Sequence, residues 1–282
     1  MLPKSTVALI ILSRLMAPLK QCCHLLLLAL LGGWSMNAAS QSLRIVTEDL
    51  PPYNYRTPDG SLSGASTRIV QALLLKLDIE AQIEILPWAR AYKLAMTEPN
   101  VLIFSLLRTK KRENSFHWLS AITPIKIKVF ALPESQVKPF TDLNQLGHMT
   151  LGVVRNSSQV DFVRLHKNVT AKNLIFGRSF EQLYRMNVLG RVDLFMAPEM
   201  LVYYLNSKLD TQKHKRPLPV YALPSRLQRK LHLAMSKTTS IQTVRRFRLA
   251  LNQMHKSGET GNILDQFQLQ LKQVTKNRSV AK

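Results

Sequence analysis

From residue 43 onward the chain alternates between short β-type runs and segments whose apolar residues recur at helical spacing, and this alternation narrows the fold more than any other feature. LRIVT (43–47) reads as a strand, and the turn formers and aromatics of EDLPPYNYRTPDG (48–60) read as a loop. Ile69, Val70, Leu73, Leu74 and Leu77 place a helix over 66–77, and QIEIL (82–86) is a second strand. Pro87, tolerated in a first turn, opens a helix to Met96, and VLIFS (101–105) is a buried third strand. The β-α-β-α-β order implies a parallel sheet covered by helices.

After the strand KIKVFAL (126–132) a second unit begins. It comprises a short helix DLNQL (142–146) closed by Gly147, the strand TLGVV (150–154), and a helix capped by Ser157 that runs to about Leu165. The strand NLIF (173–176), a helix from the Ser179 cap to Val188, the strand VDLFM (192–196) and a helix from Pro198 to about Leu205 follow. PVYAL (219–223) and LHLAM (231–235) are strands, and helices over about 240–255 and 259–271 precede a tail expected to fray. The crossings near 126–132 and 219–235 are short strands rather than Gly/Ser tethers. The expectation is therefore an α/β protein of two lobes joined by two strands, with the last helices returning to the first lobe.

The N-terminus reads as a targeting segment. Lys4, Arg14 and Lys20 precede a purely apolar run from Leu25 to Leu31, too short to span a bilayer, and the small residues Ala38, Ala39 and Ser40 follow. A signal peptide over 1–40 is expected, cleaved before Gln41, with Met16 as an alternative start and an uncleaved anchor as the competing reading. Both cysteines, Cys22 and Cys23, lie in this leader, so the mature chain has no thiol for disulfides or catalysis, as suits a thiol-oxidising compartment. No small-residue pair precedes Cys22 as a lipoprotein signal requires, so no lipid anchor is expected. Of 39 Lys and Arg, three lie in the leader, which leaves 36 against 17 acids, a net charge of +19. Such charge would suit phosphates or an anion-binding cleft, but the lysines are scattered and an exported address argues against nucleic acid.

The motifs LRIVTEDLPPYNY (43–55), PDGSLSG (58–64), PWARAYKLA (87–95), FSLLRTKKRE (104–113), the NSS turn (156–158), GRVDLFMAPE (190–199) and MHKSGETGNILDQF (254–267) resemble, in order and spacing, the periplasmic solute-binding proteins of family 3, the polar amino acid type. The resemblance spans almost the whole mature chain. It implies a two-lobed periplasmic binding protein, a Venus flytrap with two hinge strands, whose lobes close on a small ligand. It sets lobe 1 at 41–127 plus 231–282 and lobe 2 at 128–230.

Candidate site residues follow from position and from the resemblance. Arg112 emerges where a buried strand ends, the place at which open α/β sheets bind ligands, and a guanidinium there can hold a carboxylate by two parallel hydrogen bonds. In the family the arginine of this T-x-x-R motif holds the ligand's α-carboxylate, whereas an exposed surface arginine is the plainer alternative. Arg108, four residues earlier, either adds a second positive group or faces solvent. Asn156-Ser157-Ser158 forms a strand-to-helix turn whose free N–H groups attract anions, with the Ser158 hydroxyl matching a family contact; a simple cap is the alternative. Trp88 reads as cleft wall or core, and Tyr53 and Tyr55 likewise. Ser105 matches a family contact at the end of the third strand.

The sequence also departs from the family. Amino-acid binders place an aspartate for the ligand's ammonium where this chain has Pro198; Glu199 is adjacent, and Glu48 could substitute from the first lobe. Phe104 and Leu107 are bulky where the family has small or hydroxyl residues. No metal-ligand spacing, phosphate loop or nucleophile elbow is found, and no cofactor is expected. Three functions compete. The first is a monomeric periplasmic protein, not an enzyme, that binds a small carboxylate for an inner-membrane ABC permease. The second is a dehydratase-like enzyme acting on prephenate-like acids, for which Glu48 could supply the acid or base. The third is an orphan binding or sensor protein without a transporter.

Overall fold

A computed structural model describes residues 43–208, 216–224 and 229–267. The expected leader and its cleavage point, the tail, and the end of the 259–271 helix lie outside the described residues. Two five-stranded sheets carry the fold. In the first, β1 (Arg44–Thr47) lies between β4 (Ile83–Ile85) and β5 (Val101–Leu107), parallel to both. β12 (Arg229–Ser236) adds antiparallel to β5, and β6 (Phe116–Ile125) adds antiparallel to β12, giving the order β4-β1-β5-β12-β6. Ile45, Val46, Val101, Leu102 and Ile103 are wholly buried, as a sheet covered on both faces demands. The cover comes from α1 (Ala65–Lys76), α2 (Trp88–Thr97) and α6 (Ile241–Lys256), the last packing on both β6 and α1. α1 turns Ile69, Val70, Leu73 and Leu74 inward and leaves Leu75 exposed, the 3.6-residue stripe of the sequence.

The second sheet has the order β11-β7-β10-β8-β9. Its strands are β7 (Ile127–Ala131), β8 (Leu151–Val154), β9 (Leu174–Gly177), β10 (Leu194–Pro198) and β11 (Leu218–Ala222). β8 runs parallel to β9 and β10, while β7 runs antiparallel to β10 and β11. α3 (Ser158–Val163), α4 (Phe180–Val188) and α5 (Glu199–Lys208) accompany it. Ser157 and Ser179 cap α3 and α4 through their hydroxyls, to the N–H of Gln159 and Gln182 respectively. The chain passes from one sheet to the other across Lys126 alone, between β6 and β7, and returns between Ala222 and Arg229. The alternating α/β pattern and the two-lobed architecture are both realised.

Four sequence readings need correction. Residues 116–125, given no element, form the ten-residue strand β6. Its hydroxyls, histidine and Pro124 break the alternation, and they are tolerated because β6 is a sheet edge. The 48–60 segment is not all loop, since β2 (Tyr55–Arg56) pairs with β3 (Leu62–Ser63). Pro198 ends β10 rather than opening a helix: it pairs with Ile127, and α5 starts at Glu199, whose N–H is held by the Lys126 carbonyl. The 142–146 helix is a single 3₁₀ turn, Leu143–Leu146, capped by Asp142.

Candidate functional site

The carboxyl ends of β1 and β5 deliver residues to a cavity of about 40 Å³ between the two sheets. From the first sheet's side come Glu48, Trp88, Ser105, Leu107 and Arg112, and from the second Ser157, Ser158, Gln159, Phe180 and Pro198. A neighbouring cavity of about 50 Å³ shares Leu107, Ser158 and Gln159, and its remaining wall includes Thr109, Phe162 and Met196.

Arg112 is the cation of the site and is only 3% exposed. The chain leaves β5, makes one 3₁₀ segment (Lys110–Ser115), and so turns this side chain back under the sheet end. Its guanidinium carbon stands 5.1 Å from the Trp88 ring centre and 4.8 Å from that of Tyr92, a cation held between two π faces. Nη1 donates to the Leu107 carbonyl at 3.2 Å and Nη2 to the Asn156 carbonyl at 3.4 Å, and Arg112 forms no ion pair among the described residues. Burial lowers its pKa, opposed by Tyr92, Asp161 and Glu48. A buried guanidinium with no ion pair among the described residues can still receive a carboxylate.

Around it the backbone is specialised. Ser105 sits inside β5 with φ +60°, a left-handed conformation uncommon for a residue with a Cβ. Its hydroxyl donates to Asn54 Oδ1, while Asn54 Nδ2 donates to Thr47 Oγ1 at 3.0 Å and to the Glu48 carbonyl at 2.6 Å. This fully buried amide ties the ends of β1 and β5 together and fixes where Glu48 leaves the sheet. Desolvation pushes the Glu48 carboxyl up to about 8, Arg112 pulling it down and Asp49 pushing it up. Asn156, φ +58°, turns the chain into α3 and presents its carbonyl to both Arg112 and Trp88, whose Nε1 donates to it at 3.0 Å.

Of the sequence candidates, Arg112, Ser105, Ser158, Trp88 and Glu48 all reach the cavity wall. Arg108 does not: exposed, it pairs with Glu113 and lies 5.4 Å from the Trp118 ring centre. Tyr53 is a core residue, 6% exposed, whose hydroxyl pKa is raised by burial and by Glu199, and it is not in the cavity wall. Tyr55 packs on Tyr204 with ring centres 5.4 Å apart. Glu199 turns away from the cavity to Lys128 Nζ and accepts from Tyr203 Oη at 2.9 Å. The sequence reading did not single out Leu50, Ile125, Ile127, Gln159, Phe180 or Leu231 of the wall. Phe180 carries the ordinary signature of a core aromatic, and Gln159, the second residue of α3, that of a solvated polar position.

Comparison with known proteins places this geometry. The chain matches the family model of bacterial extracellular solute-binding proteins, family 3, over residues 43–270. Among solved structures it is similar to a histidine kinase sensor domain that itself resembles periplasmic binding proteins (TM-score 0.70, 15% identity, 80% of this chain and 96% of that one). It is also similar to an ancestral arginine-binding protein bound to arginine (0.70, 16%, 80% and 97%). A third similar structure is an ABC uptake transporter substrate-binding protein from Streptococcus pneumoniae with bound histidine (0.67, 17%, 83% and 95%). No curated protein matches by sequence. At these identities the solved structures speak for the two-lobed fold alone, whereas the family match covers most of the chain; this protein therefore belongs to the bacterial extracellular solute-binding proteins of family 3.

Proposed function

We propose that this protein is exported through a signal peptide cleaved before Gln41 and captures a small carboxylate-bearing solute in the periplasm. It holds the solute between lobe 1 (41–127 plus 231–282) and lobe 2 (128–230) and passes it, unchanged, to an inner-membrane ABC permease. The observation that carries this reading is Arg112: a buried guanidinium in the cleft wall, braced by Trp88 and Tyr92, that forms no ion pair among the described residues. The α3 N-terminus supports it by bringing Ser157 and Ser158 to the same cavity. The family supports the address and the binding role, and a transporter-linked structural neighbour supports the permease. A thermal-shift screen of the purified protein tests it. Carboxylates should raise the melting midpoint, and neutral amides of the same skeleton should not; equal shifts from both would defeat the reading.

One observation favours a second reading, an enzyme of the dehydratase type. Glu48 is a cleft acid whose pKa near 8 suits proton transfer at neutral pH. Incubating the protein with each carboxylate hit and following the solution by NMR separates the two. A binding protein returns the ligand intact, and an enzyme consumes it.

A further inference from the structure

Among the described residues the cavity wall carries one cation, Arg112, and one acid, Glu48. Position 198 is a proline in the cavity wall, and Leu107, also in the wall, offers no polar side-chain atom. The acid next in sequence, Glu199, is occupied by Lys128 and Tyr203. Asp161 pairs with Lys111 at 2.8 Å, and Asp193 is engaged by the N–H and the hydroxyl of Thr150. Glu48 remains in the cavity wall, where desolvation raises its carboxyl to about 8 against the pull of Arg112. A monocarboxylate would balance Arg112. An added ammonium would bring a second positive charge that is met only if Glu48 first gives up its proton.

The second observation is Gln159. It is 3% exposed, it stands in the walls of both cavities, and neither its Nε2 nor its Oε1 has a hydrogen-bond partner among the described residues. Its backbone is fully accounted for by helix α3 and the Ser157 cap, so the amide is not needed to build the helix. A buried primary amide with both ends unmet is costly to fold, and its natural complement is a neutral group that can donate and accept, such as a hydroxyl, a carbonyl or another amide.

Building on the carboxylate reading above, we infer that the ligand is a carboxylate without an α-ammonium group, and that Gln159 selects it by bonding a neutral polar group elsewhere on the molecule. Arg112 is the anchor and Gln159 the specificity determinant. The apolar wall residues Leu107, Phe180 and Pro198 exclude charge between them.

Matched probes test this by titration calorimetry on the purified protein. L-Tyrosine is compared with 3-(4-hydroxyphenyl)propanoate, and L-glutamine with its deamino analogue glutaramate. The deamino member of at least one pair should bind tenfold or more tighter. 3-Phenylpropanoate, which lacks the neutral polar group, serves as the internal control. In wild type the hydroxylated propanoate should bind more tightly than 3-phenylpropanoate, and Gln159→Leu should abolish that preference. The same variant should keep or raise the melting midpoint of the unliganded protein, because it removes an unmet amide. If the amino acids bind as tightly as their analogues, or if no probe binds, the inference is overturned. If the preference for the hydroxylated probe survives in Gln159→Leu, the role of Gln159 is overturned. Failure of the underlying carboxylate reading looks different: probe binding would then be unaffected by Arg112→Ala.

Discussion

Glu48 shows how one residue's surroundings set its chemistry. Its carboxyl is raised from 4.5 to about 8, chiefly by desolvation, so the folded protein holds a proton that the unfolded chain loses. The sign follows directly. This contribution to stability is full below pH 4.5 and is lost as pH rises to about 8, with a slope of at most about 1.4 kcal/mol per pH unit. Chemical denaturation across pH 5 to 8 should therefore show wild type losing stability as pH rises and Glu48→Gln losing less; identical slopes would mean that Glu48 titrates normally. Ser105 gives a second test. Ser105→Ala strips a hydrogen bond from the buried Oδ1 of Asn54 and leaves it unmet, at about 1–3 kcal/mol, measurable by the same denaturation. Arg112 was picked out in the sequence by its place after a buried strand together with the T-x-x-R resemblance; place alone does not suffice, since Arg108 beside the same strand is exposed and pairs with Glu113. Gln159 was not legible, because a glutamine early in a helix is ordinarily solvated, and only the three-dimensional fold shows that both of its ends are covered.

At the scale of elements, the turn into α1 is tightly constrained. Gly64 precedes the helix with φ +116°, and a Cβ there would stand 2.2 Å from the Tyr53 carbonyl oxygen. That carbonyl also receives the Ser66 N–H, so it has little freedom to retreat. Gly64→Ala should destabilise the protein by about 2 kcal/mol or more, lowering the urea midpoint without changing its slope. An unchanged midpoint would show that the turn relaxes freely. The regular elements were legible where periodicity was clean, as in β1, β5, α1 and α6. They were lost where an edge position relaxed the pattern, in β6, or where pairing rather than composition makes the strand, in the two-residue β2 and β3. Pro198 misled for a related reason: a proline suits a first helical turn, but this one closes a strand whose partner, β7, is distant in sequence.

At the scale of the molecule, one buried apolar cluster runs from the first sheet into the second through residues such as Phe130, Phe180 and Phe195, and polar and aromatic contacts add to it. Trp88 and Arg112 reach the Asn156 carbonyl, Tyr55 packs on Tyr204, and Lys111 pairs with Asp161. The Lys111–Asp161 pair contributes little by itself, so under the proposed binding role ligand contacts, not this bridge, supply the drive to close. Small-angle scattering should show the radius of gyration of the wild type falling on addition of a saturating carboxylate, with Lys111→Ala closing to the same final value. A radius that ligand leaves unchanged would contradict hinged closure. The two-lobed architecture was legible because β/α alternation restarts after residue 126. The contact between Arg112 and Asn156, 44 residues apart, was not, since it depends on how the lobes come together.

The central claim is that Arg112 is the carboxylate anchor of the cleft, and titration calorimetry of one carboxylate ligand against wild type, Arg112→Ala and Arg112→Lys tests it most directly. Hydrogen bonds to charged groups contribute about 1.5–3 kcal/mol, so Arg112→Ala should weaken binding at least about tenfold. Arg112→Lys should recover only part, because an ammonium keeps the charge but not the planar fork or the stacking on Trp88 and Tyr92. Equal affinity in all three proteins, each with a wild-type circular dichroism spectrum, would contradict the account.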